Sequence, residues 1–173
     1  MKASEFPGDL NTFLSLYNYQ PELTARLDNL GSTAIVQSLI NDIVLWKVNR
    51  YVKINKSIAE QIYGLKVLKS GEHRKSTRQL SILMELDGVD LPMASTILRF
   101  TNPKVFQIID RHAYRAVYGN KYPLYPTTST ERKISQYFDY LDQLIKLCEF
   151  KSLKFETIDR LLYVFDKKNN GEL

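Results

Sequence analysis

Leu86-Asp87-Gly88-Val89-Asp90-Leu91-Pro92-Met93-Ala94 is the stretch from which the fold is read. On its N-terminal side Leu80-Leu83-Met84 carries helical spacing, predicting a helix of about ten residues that ends near Glu85-Leu86. On its C-terminal side a second helical run extends from Pro92 to Phe100. Two helices joined by so short a glycine-containing turn form a tight hairpin. Free backbone N–H groups at such a turn, next to the positive end of the second helix, can bind a phosphate without reading bases. Gly88, Val89, Asp90 and Leu91 are the candidate contacts. An ordinary turn between packed helices is the alternative reading of the same residues.

Beyond the hairpin, Ala94-Ser95-Thr96 supplies small side chains for close packing, and Thr101-Asn102-Pro103 breaks the helix. The apolar run Val105-Phe106-Gln107-Ile108-Ile109 then delivers Asp110 to the start of another helix, Arg111 to Tyr118, where it stands as an N-cap. Elsewhere the period is helical nearly throughout: Leu10-Phe13-Leu14-Tyr17, Ile35-Leu39-Ile43-Trp46, Ile58-Ile62-Leu65-Leu68, Tyr137-Leu141-Leu144-Ile145 and Ile158-Leu161-Leu162-Phe165. Ser32-Thr33 and Ser76-Thr77 precede helical runs, and Ser129-Thr130-Glu131 opens a long helix ending near Phe150. The expected class is all-α. Gly119 to Thr128, with Pro123 and Pro126, reads as an exposed loop, Thr157 to Phe165 as a closing helix, and Asp166 to Leu173 as a polar tail.

The chain of 173 residues, 44% hydrophobic and 25% charged, suits a single domain spanning 1–173, with the hairpin at about 77–100 and the aspartate segment at 101–118. No run of apolar residues is long enough to span a bilayer, and the first residues lack a leader pattern, so a cytoplasmic protein is expected, nucleoid-associated if bacterial. One cysteine, Cys148, excludes an internal disulfide and a four-cysteine iron–sulfur site, and two histidines add little toward a structural metal. The net charge of +5 is unevenly placed: nine basic residues stand against two acidic ones between Val44 and Arg78. That segment suits a polyanion, or else a solvated helix face.

In these two stretches the sequence resembles the helix-hairpin-helix (HhH-GPD) superfamily of DNA glycosylases, which includes endonuclease III and the adenine, alkylpurine and oxoguanine enzymes. The family's hairpin reads Leu-Pro-Gly-Val-Gly-x-x-Thr-Ala, matched here by Leu86 to Ala94, and its Asp-x-His-x-x-Arg helix is matched by Asp110-Arg111-His112-Ala113-Tyr114-Arg115. The position of the family's catalytic lysine falls on Pro92, and Asp110 follows it by the family's interval of eighteen residues. The match covers roughly residues 80 to 118. It implies a compact helical glycosylase fold, a hairpin phosphate grip that includes a monovalent cation, Asp110 as the catalytic carboxylate, and double-stranded DNA as the partner of a monomer.

Two departures narrow what is implied. Asp90 replaces the second hairpin glycine, and its carboxylate opposes a phosphate unless it turns back to cap the helix opening at Leu91-Pro92. Pro92 cannot act as an amine nucleophile, so strand cleavage through a Schiff base is not expected. What remains is a monofunctional glycosylase of base excision repair, in which a fixed carboxylate stabilises the oxocarbenium-like sugar or orients water. Lys47, Arg50 and Arg111 are candidate DNA contacts, and Trp46 is either a base wedge or core. A non-catalytic hairpin DNA-binding protein derived from the same fold stays open beside the enzyme, as does an all-α interaction protein.

Overall fold

The computed structural model describes residue 9 and residues 21–29, 36–48 and 52–171. The chain divides into two compact units, Met1–Tyr51 and Val52–Leu173. Among the described residues every regular element is helical, so the all-α class holds.

The first unit contains α1, Pro21–Asp28, and α2, Gln37–Val48. Trp46 Nε1 donates to Thr24 Oγ1 at 2.9 Å, and Arg26 pairs with Asp42 at 2.6 Å, so both contacts tie α1 to α2. Trp46 is half-buried in this pairing. The helix expected around Leu10 to Tyr17 and the start signal Ser32-Thr33 lie outside the described residues.

The second unit is built around α7, Thr130–Lys151, a helix of 22 residues. Ile134, Tyr137, Phe138, Leu141, Leu144 and Cys148 lie at three- and four-residue intervals, and all are buried. Ser129 opens the helix as read from sequence, its hydroxyl accepting Arg132 N–H at 3.3 Å. Around α7 stand α3, Lys56–Tyr63; α4, Thr77–Met84; α5, Leu91–Thr101; α6, Arg111–Tyr118; and α8, Ile158–Asn169. The first helix of the hairpin starts at Thr77, where the sequence places it, and ends at Met84, just short of Glu85-Leu86; residues His73–Ser76 wind as a 3-10 turn before it. There the Ser76 hydroxyl donates back to His73 C=O at 2.6 Å and makes no cap bond.

One expectation holds except at a single residue, and one is corrected. The stretch Gly119 to Thr128 is irregular, but Leu124 enters the core at 7% exposure and carries the loop down with it. The supposed polar tail is helical through Asn169, and Asp166 within it is fully buried. A buried carboxylate requires partners. Arg115 and His112 of α6 supply them, so α8 extends past its last apolar residue in order to close against α6.

Candidate active site

The hairpin forms where the sequence places it. Gly88 turns the chain at φ +76°, a left-handed conformation that glycine adopts without the steric cost of a Cβ. Val89 N–H closes the turn onto Leu86 C=O at 3.0 Å, and buried Val89 and Leu91 anchor it in the core. Asp90 does turn back: its Oδ1 accepts Leu91 N–H at 2.7 Å and holds the Lys133 ammonium at 2.8 Å. Lys133 in turn donates to Pro126 C=O at 3.0 Å, which fastens the hairpin to the loop before α7. The Asp90 charge is thereby compensated. The cost falls on the phosphate grip: Val89 and Leu91 spend their amides internally and Pro92 has none, leaving Gly88 and Asp90 N–H without partners among the described residues.

A monovalent cation fits this hairpin poorly. Its carboxylate already neutralises one ammonium, and Leu86 C=O is taken by Val89. No cluster of metal-ligating side chains occurs among the described residues.

Asp110 is set by the chain on both sides of it. Its Oδ1 caps α6 by accepting Ala113 N–H at 2.7 Å, as the sequence predicts. Its Oδ2 has no hydrogen-bond partner among the described residues. The side chain is half-buried and lines a cavity of about 260 Å³ together with Ile108, Asp159, Arg160, Tyr163 and Val164. Behind it Val105, Phe106, Gln107 and Ile109 are buried and the run is clamped. Tyr137 Oη donates to Gln107 C=O at 2.9 Å, Tyr140 Oη donates to Ile108 C=O at 3.0 Å, and Ile109 N–H donates to Ser95 Oγ at 3.2 Å. Burial pushes both tyrosines well above the ordinary phenol range, so these hydroxyls remain donors.

The other motif residues serve structure. Arg115 reaches Asp166 with Nε at 2.9 Å and a terminal nitrogen at 2.8 Å, His112 Nδ1 stands 2.7 Å from Asp166 Oδ2, and Asn170 adds a donor at 2.7 Å. Hydrogen bonds from Arg115, Asn170 and His112 hold the Asp166 carboxyl far below its usual range. The His112 ring also stands edge-on to Tyr163, with centroids 5.0 Å apart, and so braces one wall of the cavity.

Sequence reading missed Asp159. It is 4% exposed and shares the cavity with Asp110; its Oδ1 accepts Arg160 N–H at 2.8 Å. Its Oδ2 lies 3.4 Å from Arg99 Nε, an ion pair without hydrogen-bond alignment. An aspartate in a helix's first turn reads locally as a dipole partner, and nothing in the sequence marks it as a neighbour of Asp110.

Arg111 is exposed and lines a second cavity beside the loop. The Tyr122 phenol, raised chiefly by burial, also feels Asp90, Arg111 and Asp110, so the hairpin and the start of α6 share one side of the unit. Lys47 sits in the last turn of α2 in the other unit, and Arg50 lies outside the described residues. The chain matches no family model, no curated protein and no solved structure.

Proposed function

We propose that the protein is a monofunctional DNA glycosylase that hydrolyses the N-glycosidic bond of a damaged or mismatched base, with Asp110 as its carboxylate. The observation that carries this reading is the division of labour within one side chain. Oδ1 is spent on the Ala113 cap, which fixes the orientation, while Oδ2 has no partner among the described residues and stands at the edge of an open cavity. A carboxylate serving only as a cap needs neither the cavity nor the clamps on Gln107, Ile108 and Ile109 behind it.

As the glycosidic bond breaks, positive charge develops on the deoxyribose. A carboxylate already held in place stabilises that charge without reorganising at the moment of reaction. The same oxygen can orient water toward the sugar, while the departing base needs a pocket outside the helical stack. Of the hairpin residues Gly88, Val89, Asp90 and Leu91, the phosphate grip falls to Gly88 and Asp90, whose amides have no partner among the described residues. Arg111, Lys47 and Arg50 are outer contacts. Pro92 at the lysine position limits the reaction to base removal without strand cleavage.

A non-catalytic hairpin DNA-binding protein is the second reading, for which Asp90 at the second glycine position and Pro92 at the lysine position speak. One experiment separates the two: incubation with a panel of lesion-bearing duplexes, read as free base released and as salt-dependent affinity. The enzyme releases at least one base and leaves alkali-labile sites. Affinity without release from any lesion would leave the binding module, and absence of affinity at low salt would sink both.

A further inference from the structure

We propose that the cavity between α6 and the loop before α7 is a phosphate pocket for one nucleotide. In the reading given above, on which this placement rests, it holds the phosphate of the nucleotide whose sugar faces Asp110. The cavity measures about 300 Å³, enough for a phosphate and part of the group it carries, at the lower end of the range for small-ligand sites. Arg111, Arg115, Lys121, Tyr122, Leu124 and Tyr125 line it, and no carboxylate does. Arg115 is engaged by Asp166. Arg111 and Lys121 are exposed and pair with no carboxylate among the described residues, so two positive charges stand over the same hollow.

The wall opposite them is already built. Leu124 is buried, Tyr125 N–H donates to Thr128 Oγ1 at 3.0 Å, Thr128 N–H returns to Tyr125 C=O at 3.0 Å, and Lys133 holds Pro126 C=O. This frame keeps Tyr125 at 68% exposure at the rim. A phenol ring held out to water beside two cations fits a ligand that is anionic at one end and flat at the other, and a base stacking on an aromatic ring beside a positively charged backbone groove has that form. The guanidinium fork of Arg111 adds bidentate recognition of phosphate. Position agrees with this. Asp110 and Arg111 are adjacent residues whose Cα atoms lie about 3.8 Å apart, yet they line different cavities. A phosphate at Arg111 therefore lies one residue from Asp110, which brings the sugar it carries toward that carboxylate.

The test uses the full chain and two probes, deoxyadenosine 5′-monophosphate and a 5′-phosphorylated single-stranded pentanucleotide, titrated by ³¹P NMR. Saturable shifts are expected, tighter for the oligonucleotide. The Arg111→Gln, Lys121→Gln double variant should weaken binding at least about tenfold, since each removes a charge-assisted bond. Tyr125→Ala should weaken it less, and both variants should keep the parent's melting midpoint. Equal affinity for the mononucleotide would overturn the assignment to a nucleic-acid strand. Unchanged affinity in the double variant would overturn the pocket. Phosphate binding that depends on Arg111 and Lys121, in a protein that excises no lesion, would sink the glycosylase reading and leave the pocket standing.

Discussion

At the scale of the residue, two carboxylates on α6 and α8 do opposite work. Asp110 has an oxygen to spare; Asp166 has none, being surrounded by Arg115, His112 and Asn170. Asp110→Asn keeps the cap, because asparagine is as good an N-cap as aspartate, so urea denaturation should show a stability change below about 1 kcal/mol. Asp166 has the opposite signature. Its folded-state pKa is depressed by the Arg115, Asn170 and His112 hydrogen bonds, so its contribution is present above the unfolded carboxylate value of about 3.9 and is lost as pH falls below it. Wild-type melting midpoints should fall progressively as pH drops below about 4, and Asp166→Asn should lower the midpoint at pH 7 and flatten that dependence. A variant whose pH profile matches wild type would contradict the assigned role. Asp110's cap was legible in the sequence because an N-cap bond spans three residues. Asp166 was not, because its partner Arg115 lies 51 residues away and the surrounding sequence is that of a polar tail.

At the scale of the element, the segment Val105 to Asp110 owes its position to hydroxyls on a different helix. Tyr137→Phe and Tyr140→Phe remove the donors to Gln107 and Ile108 C=O without creating a void. Tyr137→Phe should cost about 1–3 kcal/mol by leaving a buried carbonyl unpaired, and Tyr140→Phe less, because the Ile108 carbonyl is only partly buried. Because these are positioning residues, base release should lose kcat with KM little changed, and the loss should be smaller than that of Asp110→Asn. Gly88→Ala tests the hairpin. Open space surrounds the site where a Cβ would stand, so the penalty is the left-handed backbone alone, about 1–2 kcal/mol in chemical denaturation. The hairpin could be read from sequence because glycine, cap and proline are local signals. The clamps could not: Tyr137 and Tyr140 look like ordinary members of an apolar stripe, and only packing shows where their hydroxyls point.

At the scale of the whole molecule, the basic segment from Val44 to Arg78 is less available than its count suggests. Arg74 is tied to Asp139 and Asp142, and Lys75 to Glu72. Lys66, Lys69 and Arg78 remain exposed. If these three residues meet DNA, Lys66→Gln with Lys69→Gln should make the salt dependence of affinity shallower by about one unit of log–log slope per residue. Arg74→Gln should leave the slope alone and cost at most about 1 kcal/mol of stability, since both of its ion pairs are open to solvent. Composition and period could establish the helical class; they could not show that Arg74 is spent on carboxylates, since those lie on α7, more than sixty residues away.

The central claim is that the partnerless Oδ2 of Asp110 does chemistry. The measurement that bears on it most directly is single-turnover release of base from a lesion-bearing duplex by the wild-type protein and by Asp110→Asn, with DNA affinity measured in parallel. The expected result is release by the wild type, at least about a hundredfold slower release by the variant, and affinities that agree closely. Equal release rates would contradict the account and leave Asp110 as a helix cap.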